Sequence, residues 1–209
     1  MMIAAVIYNY PKLNIIAGYS AKSTASSVFV ANRTLEFTDK TDTNFSPINL
    51  ADDKVNISEK SAQSGAFGLL TRKAFYREGL GSVLALEEQD LNKNYLTPKR
   101  ALADQTTPFP YGNAAQKDTV FTNINYQKLN QIVDTYFNEN TATSTTRSFL
   151  VIYKNQIIAE KYSDGFDEKS LILGWSMGKS LMSAVCGVLN FQGHLNVQDP
   201  APIAAWKND

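Results

Sequence analysis

The sequence predicts an α+β protein, and three stretches in its second half carry that prediction. Residues 125–138 form an amphipathic stretch, residues 148–162 contain two β-rich runs, and residues 176–191 form a long apolar stretch. A helix, a strand pair and a second helix in this order predict an α+β class. A mixed, loop-rich region with short strands precedes them.

The bulk composition restricts the classes of function. The chain has 209 residues, of which 44% are hydrophobic and 19% are charged, a mixture that can bury a core. Twenty basic and twenty acidic side chains give zero net charge, and basic residues cluster only in pairs, so we expect no nucleic-acid partner. A single cysteine, Cys186, excludes an internal disulfide and a multi-cysteine metal site, and we expect no metal or cofactor. The only histidine, His194, is predicted to lie in a surface turn.

The first eight residues (MMIAAVIY) are apolar but far shorter than the ~20 residues of a membrane span. They lack the basic start and the cleavage site of a complete signal peptide. Two interpretations remain open: a buried strand, or the remnant, within residues 1–10, of a membrane anchor that begins upstream of residue 1. The second is favoured because Tyr8, Tyr10 and Lys12 resemble an interfacial segment.

The first hundred residues are predicted to form a leader region with short strands. The apolar runs at residues 26–30, 65–70 and 80–86 are strand candidates, whereas the polar residues 38–60 favour a loop. Residues 97–119 hold three of the seven prolines and show no apolar period, which indicates a linker or a surface strap. We therefore divide the chain into a leader region (1–100), a linker (101–119) and a second domain (120–209).

The second domain has clearer signals. Leu129, Ile132, Val133, Tyr136 and Phe137 form one apolar stripe of a helix, with Asn123 or Asn125 as its N-cap. Residues 148–154 and 157–162 flank a polar break and predict a β-hairpin. Residues 176–191 are apolar on nearly every face, which predicts a helix buried on all sides and ended by Gly193.

Ser176 and Lys179 form an S-x-x-K motif at the beginning of that last helix. Residues three apart share one helix face, so the lysine amine can reach the serine hydroxyl. The helix dipole and burial both disfavour an ammonium there, and a neutral amine can accept the serine proton. Ser176 would then attack an acyl carbon, and its own backbone N–H would supply half of an oxyanion hole.

Two other interpretations of these residues stay open. In the first, Ser176 is only an N-cap and Lys179 only a surface residue of the first turn. In the second, Gly178, Lys179 and Ser180 end a phosphate-binding loop that follows a strand at residues 171–173. The Walker pattern would require glycine at position 173, where the chain has Leu173.

Residues from about 124 to 209 resemble the amino-terminal part of the serine hydrolases related to class C β-lactamases and penicillin-binding proteins, a family that includes esterases and nylon-oligomer hydrolases. The matching stretches are residues 149–162 (FLVIYKNQIIAEKY), 175–183 (WSMGKSLMS) and 193–200 (GHLNVQDP), while residues 72–81 look like the leader of larger bacterial members. The resemblance implies a partial β-lactamase/transpeptidase-like fold in which Ser176 is the acylated nucleophile and Lys179 its proton acceptor.

The resemblance also implies a small-molecule ester, amide or β-lactam substrate and a periplasmic or membrane-anchored, extracytoplasmic location. It says nothing about oligomeric state. The family's Y-x-N tyrosine and K-T-G strand do not occur downstream of Lys179, and Tyr153 and Tyr162 match neither motif. We therefore expect the amino-terminal portion of such an enzyme, with a non-catalytic truncated or binding module as the alternative.

Overall fold

The structure is a computed structural model that describes residue 8 and residues 10–85, 94, 96–102, 104–117, 119–139 and 145–206. The chain divides into two compact units, Met1–Leu171 and Ile172–Asp209, which are treated separately below. The strand or anchor predicted near the amino terminus lies outside the described residues, apart from its last positions. Within the described part of the chain, no helix combines the length and apolarity of a membrane span.

A helix packed on an antiparallel sheet forms the core of the first unit. Helix α1 (Leu13–Phe29) contacts a four-stranded sheet with strand order β1-β2-β3-β4. The short helix α2 (Leu35–Lys40) and a 3-10 turn (Ile48–Leu50) connect α1 to the sheet. The strands are β1 (Ala51–Asn56), β2 (Ser61–Ala66), β3 (Leu70–Arg77) and β4 (Gly81–Ala85). This mixed architecture confirms the general α+β class.

Small side chains build the contact between α1 and the sheet. Ala21 and Ala25 of α1 are fully buried against Ala62 of β2 and Ala74 of β3. The helix lies close to the sheet, because a Cβ added at Gly18 would come within 3.3 Å of a Leu84 methyl group. Close packing of this kind makes the interface sensitive to added volume.

Three predictions in this region need correction. The strand predicted at residues 26–30 is the end of α1, because a stripe of small buried residues keeps the whole segment helical: Ala17, Ser20, Ala21, Thr24 and Ala25. The strand predicted at residues 65–70 is mainly the turn between β2 and β3, with positive φ at Phe67 and Gly68. The loop predicted at residues 38–60 contains β1. The strand predicted at residues 80–86 is confirmed as β4.

The predicted helix and hairpin of the second half are confirmed. Helix α3 spans Tyr126–Asn138, and the Asn125 side chain caps it by accepting a hydrogen bond from the Lys128 N–H at 2.9 Å. Strands β5 (Ser148–Tyr153) and β6 (Gln156–Tyr162) pair antiparallel. Lys154 and Asn155 join them with φ of 47° and 61°, the positive values of a tight hairpin turn. Tyr136 of α3 packs on Phe149 of β5 with ring centroids 5.1 Å apart.

The second unit contains the predicted last helix, α4 (Met177–Phe191). It ends at Gly193 as expected: Gly193 has φ of 76°, its N–H donates to Asn190 O, and the His194 N–H donates to Leu189 O at 2.9 Å. These two bonds form a Schellman motif. His194 is exposed, as predicted for a surface turn.

The prediction that α4 is buried on all sides is wrong for this structure. No residue of α4 is buried, and even Leu181 and Met182 are 69% and 61% exposed. Cys186 of this helix is only partly buried. An apolar pattern shows which side chains favour burial, but it does not show whether another element covers them. Among the described residues of its own unit, the only other element besides α4 is one 3-10 turn (Ala204–Trp206).

Candidate functional site

Ser176 is the residue immediately before α4, and Lys179 lies in the first turn of the helix. Both residues are exposed. Ser176 has the N-cap position, yet its side chain accepts no capping hydrogen bond. The structure therefore does not support the interpretation of Ser176 as a simple capping residue, because its hydroxyl forms no capping hydrogen bond with the helix.

The backbone around Ser176 forms a tight turn. The N–H groups of Met177 and Lys179 donate to Gly174 O and Ser176 O, each at 2.9 Å, while the Gly178 N–H donates to Trp175 O at 3.4 Å. Among the described residues, the Ser176 N–H has no hydrogen-bond partner. A backbone donor beside an exposed hydroxyl is the arrangement that one half of an oxyanion hole requires.

Trp175, directly before Ser176, has an unusual backbone conformation. Its φ is 44°, in the left-handed region, although it is not glycine. For a residue with a large side chain this conformation costs about 1–2 kcal/mol. Backbone outliers of this kind concentrate at functional sites, so the strained residue supports a functional interpretation of its neighbour.

Lys179 differs from the expectation in one respect. From the sequence we expect a buried Lys179, and burial is one of the two reasons given above for a neutral amine. In the structure Lys179 is exposed. Lys179 does lie in the first turn of α4, as the S-x-x-K motif requires. No ion pair involves Lys179 in the part of the chain that the structure describes.

The structure does not support the interpretation of residues 178–180 as the end of a phosphate-binding loop. The strand that should precede the loop is absent, since residues 171–173 are neither strand nor helix. Leu173 still occupies the position of the first glycine. The described residues also contain no group of three or more histidine, cysteine, aspartate or glutamate side chains that could hold a metal ion.

A charged cluster in the first unit was not predicted from the sequence. The Asp42 carboxylate accepts hydrogen bonds from Arg33 and from the Ser27 hydroxyl, each at 3.0 Å, and it forms an ion pair with Arg147 at 2.6 Å. The three charged side chains are at most 16% exposed. These residues lie far apart in the chain and share no motif, so no local signal identifies them.

The sequence resemblance described above has no independent support from known proteins. No protein-family model matches the chain, and no curated protein or solved structure shows significant similarity to it. The functional assignment therefore depends on the S-x-x-K motif, its sequence context and the geometry at the beginning of α4.

Proposed function

We propose that this chain carries the nucleophile and the base of a serine hydrolase related to class C β-lactamases and penicillin-binding proteins. The substrate is an ester, an amide or a β-lactam, and the reaction passes through an acyl-enzyme. One observation carries the proposal: the S-x-x-K motif coincides with the beginning of a helix, where the Ser176 hydroxyl is exposed and caps nothing.

Acylation begins with proton transfer within the motif. The Lys179 amine accepts the hydroxyl proton while Ser176 Oγ bonds to the carbonyl carbon of the substrate. The carbonyl electron pair moves to its oxygen. The Ser176 N–H, which has no partner among the described residues, donates one hydrogen bond to that oxyanion.

Collapse of the tetrahedral intermediate re-forms the carbonyl and breaks its bond to the leaving oxygen or nitrogen. The Lys179 ammonium returns its proton to the leaving group, and the acyl group remains on Ser176 as an ester. Water then attacks this ester and gives a proton to the Lys179 amine. The proton passes to Ser176 Oγ as the acid product departs, which restores the starting state.

We further infer that α3, the β5–β6 hairpin and α4 form part of a β-lactamase/transpeptidase-like fold. The order of these elements supports this inference, and so do apolar side chains that a larger fold would cover. Leu150 and Ile152 on β5 are about half exposed, and Phe191 of α4 is 91% exposed. The extracytoplasmic location remains a proposal that depends on the sequence resemblance.

Covalent labelling tests the proposed nucleophile. A fluorophosphonate and a fluorescent penicillin are incubated with the protein, and the adduct is located by peptide mass spectrometry. We expect an adduct on Ser176 with at least one probe, loss of the adduct in Ser176→Ala, and slower labelling in Lys179→Ala. Ser180→Ala is the matched control, because Ser180 is an exposed serine of the same helix and should be dispensable. An adduct that survives Ser176→Ala, or no adduct with either probe, rejects the proposal.

The exposure of Lys179 favours one alternative, a non-catalytic binding module. The burial that was expected of Lys179 beside the proposed nucleophile is absent. In that case a folded protein with intact α4 would show no Ser176 adduct. Magnesium-dependent nucleotide binding would instead revive the phosphate-loop interpretation.

A further inference from the structure

One end of the sheet in the first unit carries large apolar side chains that the fold leaves exposed. Strand β1 begins, β2 ends and β3 begins at this end, where Ala51 pairs with Ala66. Directly beside these strand ends in the chain, Leu50, Phe67 and Leu69 are 51%, 60% and 58% exposed. Exposed apolar side chains that occur together, rather than singly, mark interaction surfaces.

The beginning of helix α1 lies at the same end of the unit. Leu13 and Ile16 of α1 pack in one apolar cluster with Ala66, the last residue of β2. Just before the helix, the Tyr10 hydroxyl donates to the carbonyl oxygen of Leu69 at 3.2 Å, and the Tyr10 side chain remains exposed. The β2–β3 turn and the residues that precede α1 therefore share one surface.

Tyr8 and Lys12 add to this surface groups that suit a boundary between lipid and water. Tyr8 is exposed, and the Lys12 ammonium lies 4.2 Å from its ring centroid. In the sequence, only apolar residues (MMIAAVI) precede Tyr8. Tyrosine and lysine beside an apolar run are typical of membrane interfaces, because both side chains have an apolar body and a polar end. These features favour lipid over protein as the partner.

Phe67 lies at a turn position that does not favour phenylalanine. The Leu69 N–H donates to the carbonyl oxygen of Ala66 at 3.0 Å and closes the turn around Phe67 and Gly68, whose φ values are 55° and 66°. Two central residues with positive φ favour the pair Asn-Gly, and a bulky side chain at such a position is strained. A strained position that holds an exposed ring indicates a role outside the fold itself.

We propose that this end of the first unit binds the surface of a phospholipid bilayer: Phe67 and Leu69 enter the boundary between headgroups and acyl chains, while Tyr8, Tyr10 and Lys12 lie at the level of the headgroups. The apolar area that Phe67 and Leu69 remove from water drives the binding, and more than half of each side chain is exposed and available for it. This inference goes beyond the proposed function. It concerns the first unit alone, so its outcome does not depend on acylation in the second unit.

The double variant Phe67→Asn/Leu69→Ser removes the two projecting side chains. Phe67→Asn also gives the turn its favoured Asn-Gly pair, so the variant should keep the fold, as checked by circular dichroism and urea unfolding. Ile57→Ser is the matched control for Leu69→Ser. Ile57 is 69% exposed and follows β1 at the opposite end of the sheet, where Asn56 pairs with Ser61.

Binding is measured with the complete chain and vesicles of phosphatidylcholine and phosphatidylglycerol in equal parts. Co-sedimentation across a lipid titration gives the partition coefficient. We expect the double variant to lower this coefficient at least about tenfold, because two apolar side chains no longer enter the lipid. Leu69→Ser alone should lower it less, and Ile57→Ser should leave it near the wild-type value. The inference is overturned if the wild type does not bind, if the double variant binds equally well, or if Ile57→Ser weakens binding as much as Leu69→Ser.

A tryptophan in the turn tests direct contact with lipid. Phe67→Trp and Ile57→Trp are each compared with the wild type, which accounts for Trp175 and Trp206, on vesicles that contain brominated phosphatidylcholine as a quencher. We expect the added emission of Phe67→Trp to be quenched and that of Ile57→Trp to stay unquenched. Unquenched emission from Phe67→Trp rejects the inference. Loss of self-association in the double variant, measured by ultracentrifugation, would then assign the surface to contacts between copies of this chain.

Discussion

Gln116 pairs with Ile157 through both ends of its side-chain amide. Its Nε2 donates to the Ile157 carbonyl oxygen at 2.7 Å, and its Oε1 accepts from the Ile157 N–H at 2.8 Å. A neighbouring strand would satisfy the same two backbone groups in the same way. One side chain therefore occupies a position on the outer edge of β6 and attaches the strap of residues 97–119 to the hairpin.

Gln116→Ala should lower the free energy of unfolding by about 1–2 kcal/mol, because two part-buried hydrogen bonds are lost. Gln116→Glu should be at least as damaging, since a carboxylate cannot donate to the Ile157 carbonyl. Urea unfolding followed by far-ultraviolet circular dichroism measures both. Gln131→Ala, at an exposed position of α3, is the control and should change the value by less than about 0.5 kcal/mol. Equal effects at both glutamines would contradict the role of Gln116.

Stability should depend on pH through Asp39 of α2. Partial burial raises the pKa of Asp39 from 3.8 to about 6, and the negative charge and hydrogen bond of Asp53 act in the same direction. Because the folded state holds this proton more tightly than the unfolded chain, Asp39 contributes stability at low pH that is lost as pH rises from about 4 to about 6. Asp39→Asn should remove this loss and be more stable than the wild type at pH 7, as measured by urea midpoints across that range.

Glu36, one turn earlier in α2, is the control for the sign of this effect. The hydrogen bond and charge of Lys40 lower the pKa of Glu36 below its ordinary value of 4.5. A lowered pKa contributes stability above the unfolded value that disappears as pH falls. Glu36→Gln should therefore leave the loss between pH 4 and 6 in place. If Asp39→Asn retains the wild-type slope, the pairing of Asp39 with Asp53 does not govern it.

Alanine substitutions at two glycines of the second unit should change the stability of α4 in opposite directions. Gly193 has φ of 76°, so Gly193→Ala should destabilise the end of α4 by about 1 kcal/mol. Gly187 lies inside α4 with open space around its Cα, so Gly187→Ala should stabilise the helix by up to about 1 kcal/mol. Hydrogen exchange of the α4 amides measures both changes. Stabilisation of α4 by Gly193→Ala would contradict the Schellman end of the helix, and destabilisation by Gly187→Ala would contradict the open space at that position.

Predictions that depend on neighbouring residues succeeded in the second half of the chain. The apolar stripe of α3, its Asn125 cap and the β5–β6 hairpin all follow from spacings within one element or one turn. Helix α1 was missed for a physical reason: its buried stripe consists mainly of alanine, serine and threonine, so the sequence shows no clear apolar period. Only packing against the equally small side chains of β2 and β3 makes such a stripe a core.

At the candidate site, local sequence was sufficient to predict a helix that begins at the S-x-x-K motif and ends at Gly193, because caps and the i, i+3 spacing are properties of one helix. The sequence could not show that Lys179 is exposed or, in the first unit, that Arg33 and Arg147 share the Asp42 carboxylate. Exposure depends on what lies beside a helix, and the ion pair between Asp42 and Arg147 joins residues far apart in the chain. Such distant relationships carry no period or motif, so only the folded arrangement of the first unit decides them.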